Sequence, residues 1–312
     1  MINPKVIQGN CIEVMAAWPD NHVDLIVADP PYNLGKEYGN NSDSQLREDY
    51  LRFTKDWLSQ AIRILKPSGS LYVFMGFRFI SHLFLLLDEE FRLRFNNWIC
   101  WYYTQGMGRT RGFSPRHDDV LFFSKTDQFT FNLDSIRVPQ KYYRSRNNMR
   151  GANPGDVWEF SHVHYCQGSR TEHPTQKPEG LIERIVLASS NKNDLVLDPF
   201  VGSGTTLRVC QQLDRKSIGI ELSNAYVSLI EKRLREPFTG FDSIDPRMKR
   251  IPNDLNDPAI RAEYAENHKL WFLDHHQDIH DAFRTDFARK YPNTIDGNQP
   301  SLFPDDSESD RS

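Results

Sequence analysis

The chain has 312 residues, of which 38% are hydrophobic and 26% charged, and its formal net charge at pH 7 is -4. This mixture is typical of a soluble globular protein and excludes wholesale disorder, while no apolar run approaches the ~20 residues of a membrane span and no secretory signal opens the chain. Four widely spaced cysteines argue against a disulfide scaffold or a zinc ribbon and favour a reducing cytoplasm; they are Cys11, Cys100, Cys166 and Cys210.

Apolar periodicity predicts strands that alternate with helices along most of the chain. In chain order, we expect a strand at 23–28, a helix at 46–65 ended by residues 66–69, a strand at 70–75, a helix at 80–87 and strands at 98–103 and 119–124. The pattern resumes with a helix at 178–190, a strand at 195–197, a helix at 204–213, a strand at 217–221 and a helix at 225–235. This alternation predicts an α/β fold with a doubly wound, mainly parallel sheet. Beyond Pro237 we expect a helical stretch at 258–289 and then a tail.

A glycine-rich turn follows the predicted strand at 195–197. Asp198 ends the strand, Gly202-Ser203-Gly204 form the turn, and a helix begins there. Glycines let a ligand approach the backbone, and a helix N-terminus favours an anionic group. A Walker loop requires a lysine after the glycines, and none is present here. Leu207 stands where a dinucleotide-binding motif has its third glycine. A turn without a ligand is the alternative interpretation.

Glu221 strengthens the ligand interpretation. It ends the strand that follows, where an acidic residue in a doubly wound sheet accepts hydrogen bonds from ribose hydroxyls. A glutamate that only faces water is the alternative. Together, the turn and the glutamate predict a nucleoside ligand with an anionic group and no pyrophosphate, a description that S-adenosylmethionine fits.

The tetrapeptide Asp29-Pro30-Pro31-Tyr32 follows the strand predicted at 23–28, where open α/β sheets bind ligands. A conjugated exocyclic amine is a poor nucleophile, and acceptors on both of its hydrogens favour a more tetrahedral nitrogen. The Asp29 carboxylate and the Pro30 carbonyl are such acceptors, a proline has no competing N–H, and Tyr32 can stack on a base. A simple proline turn is the alternative.

These motifs together resemble the beta class of amino-group DNA methyltransferases, which methylate adenine N6 or cytosine N4. The resemblance rests on DPPY at 29–32, on DPFVGSGTT at 198–206, on the stretch from His173 to Leu181 and on Gly9-Asn10-Cys11, and it spans residues 4–236 except roughly 104–156. It implies a Rossmann-like fold with circularly permuted motif order. Two departures are Asn10, where the family often has Asp, and His117-Asp118, where it often has His-Glu.

The resemblance implies S-adenosylmethionine as cofactor and no metal. The catalytic residues it implies are Asp29, Pro30, Pro31 and Tyr32. Residues 198–206 would hold the methionine part, Glu221 the ribose, Asn10 and Cys11 the adenine, and Thr175 and Lys177 the carboxylate end. The full set implied for cofactor binding is Asn10, Cys11, Asp29, Thr175, Lys177, Asp198, Phe200, Gly202, Ser203, Gly204, Thr205, Thr206 and Glu221.

Double-stranded DNA is the implied partner, and the target base must leave the stack to reach such a site. Residues 101–150 hold nine Lys/Arg and four Asp/Glu, so this segment is basic although the chain is acidic. A basic segment is typical of a surface that faces a polyanion, and a solvated loop is the alternative. The residues we expect to contact phosphate or guanine are Arg109, Arg111, Arg116, Lys141, Arg144, Arg146 and Arg150.

The expected domains are a catalytic half at 1–103, a target-recognition region at 104–156, a cofactor-binding half at 157–236 and a C-terminal extension at 237–312. The extension is expected to pack on the catalytic domain, with a homodimer contact as the alternative. Gln299, Leu302 and Phe303 lie in an acidic tail and resemble the peptide by which bacterial enzymes bind the sliding clamp.

Adenine N6 is the favoured target because Asp leads the tetrapeptide, whereas cytosine N4 enzymes more often carry Ser there. RNA and protein-glutamine methyltransferases with a related NPPY are an alternative, although they place the cofactor loop first. An inactive DNA-binding relative is another. A bacterial or phage-encoded enzyme of restriction–modification in the cytoplasm is the resulting expectation.

Overall fold

A computed structural model of the chain describes residues 4–35, 37–38, 41–42, 44–103, 108–138, 151–163 and 171–238. The chain divides into two compact units. Unit 1 comprises Met1–Asn132 and Gly155–Ser243, and unit 2 comprises Leu133–Pro154 and Ile244–Ser312.

The described residues form ten strands and six α-helices. The strands are β1 (Lys5–Gln8), β2 (Val23–Ala28), β3 (Glu37–Tyr38), β4 (Asn41–Ser42), β5 (Leu65–Met75), β6 (Arg94–Tyr102), β7 (His117–Ser124), β8 (Val157–Glu159), β9 (Leu195–Asp198) and β10 (Lys216–Glu221). The helices are α1 (Cys11–Ala16), α2 (Arg47–Ile64), α3 (Ile80–Leu85), α4 (Glu179–Ser189), α5 (Thr205–Gln212) and α6 (Asn224–Arg235).

Unit 1 contains an eight-stranded sheet of order β1-β10-β9-β2-β5-β7-β6-β8, and β3 and β4 form a separate antiparallel pair. Within this sheet, the neighbouring strands β1, β10, β9, β2 and β5 are parallel to one another, and β7 pairs antiparallel with both β5 and β6. This arrangement confirms the predicted α/β fold with a mainly parallel sheet.

The central strand β2 is apolar along its length because both faces of a parallel sheet are covered by helices. Its residues Leu25, Ile26 and Ala28 are fully buried. Its one acidic residue, Asp24, accepts hydrogen bonds from Lys66 Nζ at 2.7 Å and from the backbone N–H of Leu195 at 2.9 Å. The strand therefore satisfies its polar side chain while it remains in the core.

The strand order reverses at the centre of the sheet. β2 and β9 lie side by side and parallel, but the chain passes from β2 toward β5 on one side and from β9 to β10 on the other. In open α/β sheets, such a reversal leaves a crevice beyond the carboxyl ends of the two strands, and ligands bind there. This topology positions the candidate site.

The structure differs from the predicted elements mainly at short or irregular segments. β1, α1 and β8 had no predicted counterpart, since they are only 4, 6 and 3 residues long. Residues 66–69 were expected to separate helix and strand, but they lie inside β5. There Val23 pairs with Leu65 and Leu25 pairs with Ser70, so the intervening residues bulge from the strand. α3 continues into a π-helical turn, Leu86–Glu90.

The described part of unit 2 is small. It contains a 3-10 turn at Leu133–Ser135 and an antiparallel bridge between Val138 and Ala152, and Arg137 Nε donates to Asp134 Oδ1 at 2.6 Å. β7 belongs to the segment 104–156 and lies in the main sheet of unit 1. The four domain boundaries expected from the sequence stay a prediction. The stretch 258–289 and the segment with Gln299, Leu302 and Phe303 lie outside the described residues. No helix among the described residues combines the length and apolarity needed to cross a membrane.

Candidate active site

Three acidic residues stand at the carboxyl ends of neighbouring parallel strands. Asp29 directly follows β2, Asp198 ends β9 and Glu221 ends β10. Because these strands are adjacent in the sheet, the three side chains meet at one edge and line a single cavity of about 960 Å³. Residues far apart in the sequence are thereby brought together.

Every catalytic or cofactor residue expected from the sequence lines this cavity except Gly204. Gly204 instead has φ +80° and faces α6, where an added Cβ would lie 2.9 Å from Ile230 Cγ2. Its lack of a side chain therefore allows α5 to begin against α6.

The tetrapeptide is held by contacts on three sides. Tyr32 Oη donates to Asp29 Oδ1 at 2.9 Å, and Tyr50 Oη from α2 donates to the Pro31 carbonyl at 2.8 Å. A Cβ on Gly76, just beyond β5, would lie 3.3 Å from the Tyr32 ring. The ring and the carboxylate therefore have fixed positions at the end of β2.

Lys177 contacts the Asp29 carboxylate directly. Its Nζ lies 2.5 Å from Asp29 Oδ2, and the two side chains are 11% and 20% exposed. The same Nζ lies 5.5, 5.3 and 5.8 Å from the ring centroids of Tyr32, Phe74 and Trp101. Lys177 was expected near the carboxylate end of a cofactor, but in the structure its ammonium group contacts Asp29.

Asp198 is buried at the end of β9. Its Oδ1 accepts from the Phe200 N–H at 3.0 Å, and its Oδ2 accepts from Thr206 Oγ1 at 2.6 Å. Burial raises the pKa of Asp198 to about 7, and the nearby carboxylates of Asp29 and Glu221 act in the same direction. A cation entering the cavity would therefore favour the ionised form.

Glu221 organises the backbone around the glycine turn. Its Oε2 accepts from the Gly202 N–H at 3.0 Å and its Oε1 from the Ser223 N–H at 2.9 Å. Its own carbonyl accepts from the Gly9 N–H at 2.9 Å. Burial raises the pKa of Glu221, while hydrogen bonds from the backbone N–H groups of Ser223, Gly202 and Leu222 oppose that rise. The carboxylate has about four lone-pair sites and so retains capacity for a further donor.

Asn10 and Cys11 form the wall at the start of α1. Asn10 Oδ1 accepts from the Ile12 N–H at 2.9 Å and caps the helix. Asp and Asn are both effective at this position, so the departure from the family's usual Asp preserves the cap. Burial raises the pKa of Cys11 to about 12, so its thiol is neutral at ordinary pH.

A buried group of charges fixes the loop between β9 and α5. Glu179 Oε1 accepts from Arg233 Nη2 at 2.8 Å and forms an ion pair with Arg208, whose Nε lies 3.1 Å away, and all three side chains are under 10% exposed. Arg233 Nη1 also donates to the Ser203 carbonyl at 2.9 Å and to Thr205 Oγ1 at 3.0 Å. The arginine therefore joins α6, α4 and the glycine turn.

Comparison with known families decides what kind of protein carries this site. The family model described as DNA methylase, which represents the N6/N4 methyltransferases, matches residues 23–232. The chain belongs to this DNA methylase family.

Individual relatives agree with this assignment. The type II methyltransferase M.HpaI of Haemophilus parainfluenzae is 54% identical over 291 residues, and the match covers 93% of each chain. The DNA adenine methyltransferase YhdJ of Escherichia coli K12 is 34% identical over 242 residues, which cover 73% of this chain and 82% of YhdJ. Among solved structures, the M1.HpyAVI–SAM complex has a TM-score of 0.56 at 25% identity and covers 74% of this chain and 99% of that one.

Several residues that line the candidate site were not singled out from the sequence. His173 packs on the glycine turn, since a Cβ on Gly202 would lie 2.8 Å from its Nε2, and its ring contacts Tyr226 at 4.7 Å. His173 stands in the stretch that supported the family resemblance, which was the available signal. Phe74 and Trp101 are ordinary apolar strand residues, and only the sheet order brings them to the cavity.

The expected DNA-contacting residues are only partly described. Arg109 and Arg111 are exposed in the loop that leads into β7, and Arg116 is partly exposed just before that strand. The Arg109 N–H donates to Ser114 Oγ at 2.9 Å and braces the loop. The others lie outside the described residues: Lys141, Arg144, Arg146 and Arg150. Across the described residues, no group of His, Cys, Asp or Glu could hold a metal ion.

Proposed function

We propose that this DNA methylase transfers a methyl group from S-adenosylmethionine to the exocyclic N6 of adenine in duplex DNA. The observation that carries the proposal is the convergence of Asp29, Asp198, Glu221 and the Gly202–Ser203 turn on one cavity. The sequence predicts adenine because Asp stands first in DPPY, and the similar protein YhdJ is a DNA adenine methyltransferase. Double-stranded DNA is the proposed partner.

The cavity suits S-adenosylmethionine on chemical grounds. The cofactor carries a cationic sulfur and an ammonium group, which the carboxylates of Asp29, Asp198 and Glu221 would attract. Its ribose hydroxyls are donors for Glu221, whose oxygens retain acceptor capacity. Its anionic carboxylate suits the N-terminal end of α5, where backbone amides and the helix dipole favour negative charge.

We therefore assign most of the residues expected from the sequence to cofactor binding. Those we propose are Asn10, Cys11, Thr175, Asp198, Phe200, Gly202, Ser203, Thr205, Thr206 and Glu221. Gly204 acts through the packing of α5 against α6. Lys177 is not among them, because its ammonium group contacts Asp29.

When bound, the cofactor supplies an electrophilic methyl group on a cationic sulfur. The chain's part is to present the amine. The Asp29 carboxylate and the Pro30 carbonyl accept the two amino hydrogens, which makes the nitrogen lone pair available, and the Tyr32 ring stacks on the base. As the nitrogen gains the methyl group it loses a proton, which Asp29 is positioned to accept. The base must leave the duplex stack to reach this recess.

Single-molecule sequencing of DNA from a host without adenine methylation, after expression of the chain, tests this function. We expect N6-methyladenine at one short recurrent sequence. The variant Asp29→Ala should reduce methyl transfer by about 10²–10³-fold, the scale of one lost transition-state hydrogen bond, while cofactor binding persists. Asp49→Ala, on the exposed face of α2, is the matched control and should methylate normally.

The modified base separates the proposal from its alternatives. N4-methylcytosine in place of N6-methyladenine would contradict the adenine assignment but keep the fold and the site. Unmodified DNA beside methylated RNA or protein would contradict the substrate, and cofactor binding without any methylated product would identify an inactive relative. Because the similar M.HpaI is a type II methyltransferase, we assign the proposed activity to restriction–modification in the bacterial cytoplasm.

A further inference from the structure

Lys177 links the cofactor side of the cavity to the catalytic strand. It precedes Pro178 and α4, and its carbonyl accepts from Thr205 Oγ1 at 3.2 Å, so its backbone is anchored at the start of α5. Its side chain extends in the other direction and ends 2.5 Å from Asp29 Oδ2, a residue 148 positions earlier in the chain. One residue therefore spans both halves of the site.

The surroundings of the ammonium group suit a cation that stays in place. Three aromatic rings from separate parts of the sheet lie within 6 Å of Nζ: Tyr32 after β2, Phe74 on β5 and Trp101 on β6. Aromatic faces attract a cation at this distance, and more strongly where water is excluded. The lysine side chain is only 11% exposed, so Asp29 and the rings replace the water that the ammonium group loses.

Asp29 receives one donor on each oxygen. Tyr32 Oη donates to Oδ1 and Lys177 Nζ donates to Oδ2, which fixes the plane of the carboxylate. A carboxylate has about four lone-pair sites, so Asp29 retains room to accept one hydrogen of the target amine while the Pro30 carbonyl accepts the other.

We infer that Lys177 is a positioning residue for the methyl-transfer reaction: it orients the Asp29 carboxylate toward the target amine, and it is not a ligand of the cofactor. This inference rests on the proposed function, since it assumes that Asp29 binds the target amine. It differs from the role that the family resemblance implied, because a lysine held against Asp29 does not serve the carboxylate end of the cofactor.

The two roles make opposite kinetic predictions for Lys177→Met, which keeps the length and apolar stem of the side chain. A positioning residue acts on the chemical step, so kcat at saturating S-adenosylmethionine should fall about 10–100-fold. The Kd of S-adenosylmethionine, measured by calorimetry on the free enzyme, should change less than about threefold. Lys177→Arg retains a cationic donor for the carboxylate and should recover most of the lost kcat.

Lys192→Met is the matched control, because Lys192 pairs with Asp214 on the exposed surface and both side chains are more than half exposed. It should leave kcat and the cofactor Kd unchanged. A Lys177→Met enzyme with near-normal kcat and a cofactor Kd raised tenfold or more would overturn the inference, and so would no change in either constant. If the Met variant does not fold, Lys177→Gln, which also removes the cation, decides: a cofactor Kd raised tenfold or more at near-normal kcat refutes the positioning role, and a lowered kcat at an unchanged Kd supports it.

The outcome is separable from that of the proposed function. If the unmodified enzyme methylates no DNA, the proposed function fails first. If it methylates DNA and Lys177→Met retains kcat, only the role of Lys177 is wrong.

Discussion

The buried carboxyl group of Asp198 should make cofactor binding depend on pH. Its pKa is raised to about 7 by burial, so near neutrality it is partly protonated in the free protein. A cationic ligand favours the ionised carboxylate, and binding should therefore displace the proton. We accordingly expect the affinity for S-adenosylmethionine to rise as the pH rises through 7.

The size of the effect follows from the fraction ionised. With a pKa of about 7, roughly one tenth of Asp198 is ionised at pH 6 and roughly nine tenths at pH 8, so affinity should increase up to about tenfold, or about 1.4 kcal/mol. The free energy of unfolding should change with pH in the opposite direction. Because the pKa of Asp198 in the folded protein lies above its ordinary value of 3.8, the contribution of Asp198 to folding stability is fully present below pH 3.8 and is lost as the pH rises through 7.

The variant Asp198→Asn isolates this contribution, since an amide is neutral at every pH and its oxygen can still accept from the Phe200 N–H. Calorimetric titration with S-adenosylmethionine at pH 6, 7 and 8 should show the rise in the unmodified protein and a flatter profile in the variant. Titration of the ligand's own ammonium group affects both proteins equally and cancels in the comparison. Asp214→Asn, at an exposed surface position, is the control and should behave as the unmodified protein does. Parallel pH profiles for the unmodified protein and Asp198→Asn would refute the reasoning.

Two further substitutions test how the glycine turn is held. Glu221→Ala removes the acceptor of the Gly202 and Ser223 N–H groups, so it should weaken S-adenosylmethionine binding about tenfold or more while duplex affinity changes less; equal cofactor affinity by calorimetry would contradict this. Gly202→Ala places a Cβ 2.8 Å from His173 Nε2 at a residue with φ +50°, and it should lower both thermal stability and cofactor affinity. Gly155→Ala, with φ +73° and no atom within 4 Å of the added Cβ, reports backbone strain alone, so an equal loss in both variants would exclude the contact with His173.

The sequence predicted most of the regular elements because their signals are local. α2 and α4 carry apolar residues at helical spacing, and β2 is an uninterrupted apolar run, so each element was placed within about one residue of its observed bounds. β1, α1 and β8 were missed because so few residues give no measurable period. β5 was predicted too short, since residues 66–69 have the composition of a turn yet bulge within a strand that continues to Leu65.

The residues of the candidate site were likewise only partly predictable from the sequence. Asp29, Asp198, the glycine turn and Glu221 could be singled out from the sequence because each combines a strand end with a special residue that follows it directly. The cluster around Lys177 could not be found. Phe74 and Trp101 look like any core residues in the sequence, and nothing local indicates that they approach a lysine more than 70 positions away.

The sequence by itself thus determined the fold class, the family and the two motif-bearing strand ends, because backbone periodicity and short motifs are properties of neighbouring residues. Only the tertiary structure decided that β2 and β9 lie side by side, and hence that Asp29, Asp198 and Lys177 line the same cavity. The physical reason is that strand order depends on pairing between segments far apart in the chain, and that pairing depends on how the whole sheet covers its core.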